Sequence, residues 1–115
     1  MADQDFDKLH SELRRGALVL AVLAQLHEEH YGYSLRKALA TAGIAVQEGT
    51  LYPLIRRLEK QGLLASEWRE EDKRKKRYYR LSAEGERALA VLHDEWLALN
   101  ASIGGLLNNP TRTRG

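Results

Sequence analysis

Apolar residues recur along this chain with two different periods, and the changes of period mark out its elements. Leu9, Leu13, Ala17, Leu20 and Ala24 follow helical spacing after an acidic start, and residues 17–24 are apolar on every side. That pattern predicts a first helix buried by several neighbours. Glu28, Glu29 and His30 end it, and Tyr31-Gly32-Tyr33 reads as a short connection. A second helix is predicted from about Ser34, with Leu35, Ala38, Leu39 and Ala42 on its core face and Gly43 as its C-terminal cap. After a turn over residues 44–49, Leu51, Leu54, Ile55 and Leu58 repeat the i, i+3, i+4, i+7 spacing in a third helix. Proline is free of penalty only in a helix's first turn, so Pro53 places the N-cap at Thr50 or just before it. Gly62 is the expected stop.

The period then shortens. Leu63 to Arg69 and Arg77 to Leu81 have strand character, with Trp68, Tyr78 and Tyr79 suited to a half-buried pleated surface. They predict a two-stranded hairpin whose charged tip is residues 70–76; without Asn-Gly or Asp-Gly its turn type is not readable. Ser82 is placed to cap a last helix, with Glu84 and Glu86 favoured by its dipole. Along that helix Leu89, Leu92, Trp96, Leu99, Ile103 and Leu106 alternate spacings of three and four, a heptad seam. Asn108-Asn109-Pro110 ends it, and residues 111–115 should fray. The expected fold is mainly α with a two-stranded β-wing. A winged helix-turn-helix domain occupies residues 1–82, a long C-terminal dimerisation helix 83–107 and a flexible tail 108–115.

Composition narrows the class. A chain of 115 residues, 43% apolar, fits one core with little stability in reserve, so a partner subunit would help. No cysteine occurs, which excludes disulfides, thiolate zinc sites and a cysteine nucleophile. The longest apolar run, Gly16 to Ala24, is too short to span a bilayer and lacks the flanks of a secretory signal. A cytoplasmic protein without a membrane partner is expected. The net charge of +2 says less than its distribution: between Arg56 and Arg80 ten Lys/Arg face five Asp/Glu, leaving the rest of the chain net acidic.

The order helix, helix, turn, helix, basic hairpin, long helix points to DNA. The major groove admits one helix, and a helix is held there only if its other face is fixed to a core. The third helix turns its leucines inward and leaves Thr50, Tyr52, Pro53, Arg56, Arg57 and Lys60 for the outer surface. Thr50 and Tyr52 can reach base edges or phosphates, and Arg56 and Arg57 guanine edges or backbone. At the hairpin tip Lys73, Arg74, Lys75, Lys76 and Arg77 would lie along flanking phosphates and supply affinity rather than readout. Taken alone, such a run is an ordinary solvated tip; the joint order carries the DNA reading.

Four blocks carry a resemblance: residues 15–20 (Arg15 to Leu20), 31–35 (Tyr31 to Leu35), 49–63 (Gly49 to Leu63) and 77–85 (Arg77 to Gly85). Together they look like the PadR-like winged-helix transcriptional regulators, from Leu13 to about Trp96. The resemblance implies a dimeric repressor whose third helix enters the major groove of an inverted-repeat operator, whose hairpin is the wing and whose last helix joins the subunits. It also implies that Tyr33 lies near the DNA backbone. Many relatives carry Gly-Pro ahead of the wing's Arg-Lys-Tyr-Tyr where this chain has Asp72 to Lys76. Ending soon after the heptad helix, the chain resembles the short members of the family.

Two copies of the last helix could bury the seam of Leu89, Leu92, Trp96, Leu99, Ile103 and Leu106 between them. Trp96 has two readings: an aromatic knob in the dimer core, or a flat wall for an aromatic small-molecule effector held between the subunits, as in some short relatives. Two rival classes remain in view. His27, Glu28, Glu29 and His30 cluster, but without a third ligand they predict a solvated helix end rather than a metal site or enzyme. No nucleophile elbow, phosphate loop or cofactor motif occurs, so neither enzyme activity nor a cofactor is expected. A protein-interaction module that dimerises through the heptad helix without specific DNA binding is the other rival.

Overall fold

The computed structural model describes residues 3–108, so the part of the expected tail from residue 109 onward lies outside the described residues. The chain opens with α1 (Asp3–Gln25), whose first turn carries Asp3 and Asp5 at the positive end of the helix dipole. Only the end of α1 is in the core: Val22 and Leu23 are buried, as is Leu26 just beyond it, while Phe6, Leu9 and Leu13 are exposed. Burial on all sides is therefore confined to the last turns, because the N-terminal half of α1 runs past the helices that would cover it.

His30, expected at the end of the first helix, and Tyr31, expected in the connection after it, form a two-residue strand, β1 (His30–Tyr31). Directly after it comes α2 (Gly32–Thr41), two residues ahead of the expected start at Ser34. Ser34 serves that start from inside the helix: its hydroxyl accepts from the Tyr31 N–H at 3.1 Å and donates to the Tyr31 carbonyl at 3.0 Å. Gly43 stops α2 at φ +94°, and the Ile44 N–H closes back onto the Leu39 carbonyl at 2.8 Å.

The third helix, α3 (Glu48–Lys60), has Gln47 at its N-cap position, without a side-chain capping bond, three residues ahead of Thr50. Pro53 thus sits in the second turn, where it removes a bond to the Gly49 carbonyl. Both residues lie on the exposed side, so water can serve that carbonyl. At the other end Gly62 adopts φ +83° and the Leu63 N–H returns to the Leu58 carbonyl at 3.0 Å.

Strands β2 (Leu64–Glu71) and β3 (Arg74–Leu81) are longer than the sequence suggested, and only Asp72 and Lys73 join them. Both turn residues have positive φ, 50° and 65°. This is the pattern of a type I′ hairpin, whose twist matches that of its strands. Since β1 pairs with β3 as well, the sheet is three-stranded and antiparallel in the order β1-β3-β2, not a two-stranded hairpin.

In α4 (Ala83–Leu107) the predicted cap is present: the Ser82 hydroxyl accepts from the Gly85 N–H at 3.0 Å and donates to the Gly62 carbonyl at 2.6 Å. α4 lies against α1 and β3. Gly85 is buried hard against the Leu63 carbonyl, leaving no room for a side chain.

The core gathers Val22, Leu23, Leu26, Leu35, Leu39, Leu51, Ile55, Leu58, Leu64 and Leu81. Leu54 and Ala38 are half-buried at its margin, whereas Ala24 and Ala42 are exposed. The radius of gyration, 17.4 Å, exceeds the roughly 13 Å of a compact domain of this length. The excess comes from the parts of α1 and α4 that project from the core with apolar residues uncovered.

Candidate nucleic-acid interface

Burying Leu51, Ile55 and Leu58 fixes the orientation of α3. Gly49, Thr50, Pro53, Arg56, Arg57 and Lys60 then form an exposed stripe along its opposite side. Tyr52 does not belong to that stripe. It is half-buried at the core margin, with its ring laid over Gly32 at the start of α2; a Cβ on Gly32 would come 2.9 Å from the Tyr52 ring. Thr50 is exposed, but its N–H is already engaged by the Gln47 carbonyl at 3.0 Å, so only its side chain is available.

Beside the stripe stands the wing. Tyr31, Gly32, Tyr33, Tyr52, Arg56, Trp68, Lys75, Lys76, Arg77 and Tyr79 border a cleft of about 310 Å³ between α3 and the sheet. Five of the residues expected at the interface, Tyr33, Tyr52, Arg56, Lys75 and Lys76, therefore come together here. Thr50 lies instead on the α1 side of α3, in a second concavity shared with Arg14 and Arg15. Pro53 and Arg57 occupy the open stripe, and Lys73 and Arg74 stand apart at the wing's end.

The expected basic tip is resolved into a turn and a strand. Only Lys73 is in the turn; Arg74 to Arg77 alternate between the two faces of β3. On one face Lys76 places its ammonium 4.4 Å from the centre of the Tyr31 ring, which in turn meets Tyr78 edge-on at 5.4 Å. On that face too Arg69 holds Glu29 through two bonds of 2.6 and 2.7 Å, pairs with Glu67 and lies 4.6 Å over the Tyr78 ring. The Tyr78 hydroxyl donates to Glu71, and that bond, together with desolvation, pushes the phenol up to about 12.

On the opposite face Arg77 turns toward α3. It bonds both Glu59 carboxylate oxygens, at 3.1 and 3.0 Å, and the Ser66 hydroxyl at 2.9 Å, while Ser66 donates to Glu59. Partial burial alone would push the Glu59 carboxyl up, and the Ser66 and Arg77 donors reverse this and hold it below the usual value.

Ion pairing divides the cations. Arg36, Arg69, Arg77 and Arg87 are neutralised by Glu48, Glu29, Glu59 and Glu84 respectively. Arg56, Arg57, Lys60, Lys73, Arg74 and Lys75 form no salt bridge among the described residues. These six lie on α3 and the wing; Lys76 and Arg80 of the wing, Lys8, Arg14 and Arg15 of α1 and Lys37 of α2 form none either. A polyanion meeting this side of the molecule would encounter uncompensated positive charge from two elements at once.

Sequence reasoning overlooked Arg36 and Lys37, which with Tyr33 and Gln47 line a third concavity between α2 and the start of α3. Their signal was available, since Leu35 and Leu39 on the core side leave both cations facing outward. The histidines expected at a solvated helix end are engaged locally. His27 Nδ1 lies 3.0 Å from the Ala24 carbonyl, and His30 lies 2.9 Å from Ser34 and 3.0 Å from Gln25. Among the described residues no group of three His, Asp or Glu side chains could hold a metal, and no helix is long and apolar enough to cross a membrane.

A helix-turn-helix followed by a basic hairpin, with α3 supported from behind and open in front, defines a winged-helix DNA-binding regulator of transcription. Known proteins narrow the class further. The model of the transcriptional regulator PadR-like family matches residues 19–91, more than half the chain. The chain belongs to this family. It is 42% identical over 105 residues to Transcriptional regulator Rv3488 of Mycobacterium tuberculosis, covering 90% of this chain and 95% of that one. Among solved structures, a PadR family transcriptional regulator from Eggerthella lenta superposes with a TM-score of 0.86 at 48% identity, over 93% of this chain and 96% of the other. A PadR-like transcription factor from Bacteroides fragilis gives 0.73 at 35% identity, over 86% and 98%. These relatives are regulators, a non-enzymatic role.

Proposed function

We propose that the protein is a homodimeric, sequence-specific repressor that binds an inverted-repeat operator and is released from it by a planar aromatic effector. The observation that carries this reading is the open stripe of α3, flanked by unpaired wing cations and set on the same chain as an uncovered apolar helix. In α4, Leu92, Trp96, Leu99, Ile103 and Leu106 are all more than a third exposed. Leu89 starts the seam half-buried against the chain's own core. A second copy of α4 is the occupant that matches a heptad seam. Two-fold pairing would also present two copies of α3 to half-sites about 34 Å apart on one face of a duplex.

The residues proposed to meet DNA are Tyr33, Thr50, Pro53, Arg56 and Arg57 from the helix-turn-helix, with Tyr52 placing the stripe from beneath, and Lys73, Arg74, Lys75 and Lys76 from the wing. The division of labour follows the three domains expected from the sequence, with reading over 1–82 and pairing over 83–107. Trp96, near the middle of α4, is the wall proposed for the effector.

The test is titration with a duplex carrying an inverted repeat from the protein's own control region, against a random duplex, at several salt concentrations. The operator should bind at least a hundredfold more tightly at physiological salt. Equal affinity for both duplexes would overturn specific regulation and leave a dimeric interaction module. Effector binding is read by isothermal titration calorimetry; a Trp96→Ala protein that binds the ligand unchanged refutes that part alone.

A further inference from the structure

The wing and the recognition helix touch through one polar cluster. Glu59, in the last turn of α3, accepts two bonds from Arg77 of β3 and one from Ser66 of β2, so a single carboxylate gathers both strands of the wing. Its side chain is 24% exposed and that of Arg77 38%. The Arg77 guanidinium also lies 5.5 Å from the centre of the Trp68 ring and 5.8 Å from that of Tyr79, two aromatic residues of the same wing face.

We infer that Glu59 is a positioning residue for DNA reading: through Ser66 and Arg77 it fixes the wing to α3, so that both meet the duplex as one rigid body. The inference rests on the DNA-binding reading above. Three consequences follow from the geometry. First, Arg77 is excluded from phosphate contact, although it belongs to the basic run, because its charge is already spent on Glu59. Secondly, the width of the cleft between Arg56 on α3 and Lys75 on the wing is set by this cluster. Thirdly, discrimination depends on the cluster more than affinity does. A wing free to swing can still find phosphates on any duplex, but only a fixed wing requires the phosphates it meets to stand in register with the bases under α3.

The test uses the full-length protein with Glu59→Ala, Glu59→Gln and Ser66→Ala. In the absence of DNA, amide hydrogen exchange should accelerate at least tenfold in β2 and β3 of Glu59→Ala, less in the other two, with α2 and α4 unchanged. With DNA, Glu59→Ala should lose about tenfold in the ratio of operator to random-duplex affinity while binding random duplex at least as well as the parent does. Its salt slope should steepen by about one as Arg77 becomes free to take a phosphate. Unchanged exchange in the wing overturns the inference. So does equal weakening on both duplexes, which is what a merely structural role produces. If the parent itself fails to discriminate, the regulatory reading falls, while the exchange measurement still decides whether Glu59 holds the wing. Should Glu59→Ala not fold, Ser66→Ala, which retains the ion pair, provides the same two readouts.

Discussion

Gly85→Ala is the substitution whose effect the structure fixes most closely. A Cβ at this position would overlap the Leu63 carbonyl oxygen, and would lie 3.0 Å from the Leu63 carbonyl carbon and 3.1 Å from Leu81 Cδ2. The obstacle is backbone, so no rotamer change relieves it, and the start of α4 must move away. That movement weakens the Ser82 N–H bond to Leu63, 3.0 Å long, at about 1 kcal/mol. It also loosens the Ser82 cap, at about 1 kcal/mol, and the residual crowding adds about 1–3 kcal/mol. Replacing glycine by alanine within a helix returns at most about 1 kcal/mol. The net loss is about 2–4 kcal/mol, a fall in melting temperature of roughly 10–25 °C for a domain of this size. The assay is thermal unfolding followed by circular dichroism at one protein concentration, so that any self-association contributes equally to both proteins. Gly49→Ala is the contrast: open space surrounds that position, and the change should stabilise by about 0.5 kcal/mol. A Gly85→Ala protein melting at or above the parent temperature would refute the close-approach argument.

Other outcomes are equally specific. Lys73→Gly should raise the melting temperature by a few degrees, since φ 65° at a non-glycine residue costs about 1 kcal/mol; the same change should weaken DNA binding on every sequence by removing a wing charge. Arg56→Ala should weaken the operator more than random duplex, whereas Lys75→Ala should weaken both alike and lower the salt slope by about one; identical behaviour of the two variants in salt-dependent titrations would mean that base readout has been misplaced. In a spectrophotometric titration two phenols should lag the others, Tyr79, which burial pushes up, and Tyr78, which Glu71 holds up to about 12, and Tyr78→Phe should remove the second alone. Because the folded value lies above the ordinary one near 10, the stability contributed by this bond is complete below pH 10 and is lost as pH rises through about 12.

The sequence revealed most where a stop or a period has a local cause. Gly43 and Gly62 adopt the positive φ that their places after helical patterns required, and Ser82 caps α4 as its position suggested. The core leucines of α2 and α3 were readable because only one side of each helix is apolar. Where the cause is tertiary, the sequence was silent. Two residues are too few for alternation to register, and His30–Tyr31 becomes a strand only because β3 lies alongside it. Asp72 and Lys73 carry no turn signature, yet the twist of eight paired residues on each side drives them to positive φ. Tyr52 was expected on the outer surface because Leu51, Leu54, Ile55 and Leu58 already make up the inward stripe of α3, but glycine at position 32 opens a seat for its ring. Arg77 looked like one cation among several in the tip; only the fold brings Glu59 and Ser66 to it.

The strand order β1-β3-β2 leaves the outer side of β2 without a strand partner among the described residues. An open edge of eight residues is a template on which another chain could add itself. Here Glu67, Arg69, Glu70 and Glu71 occupy most of its outer half, and each would be stripped of water by an incoming strand. A molecule that leaves an apolar seam uncovered on its last helix is thus guarded along the edge of its sheet. Replacing Glu70 by valine should leave the melting temperature nearly unchanged while soluble yield falls, because what that carboxylate protects is not the folded state but the open edge beside it.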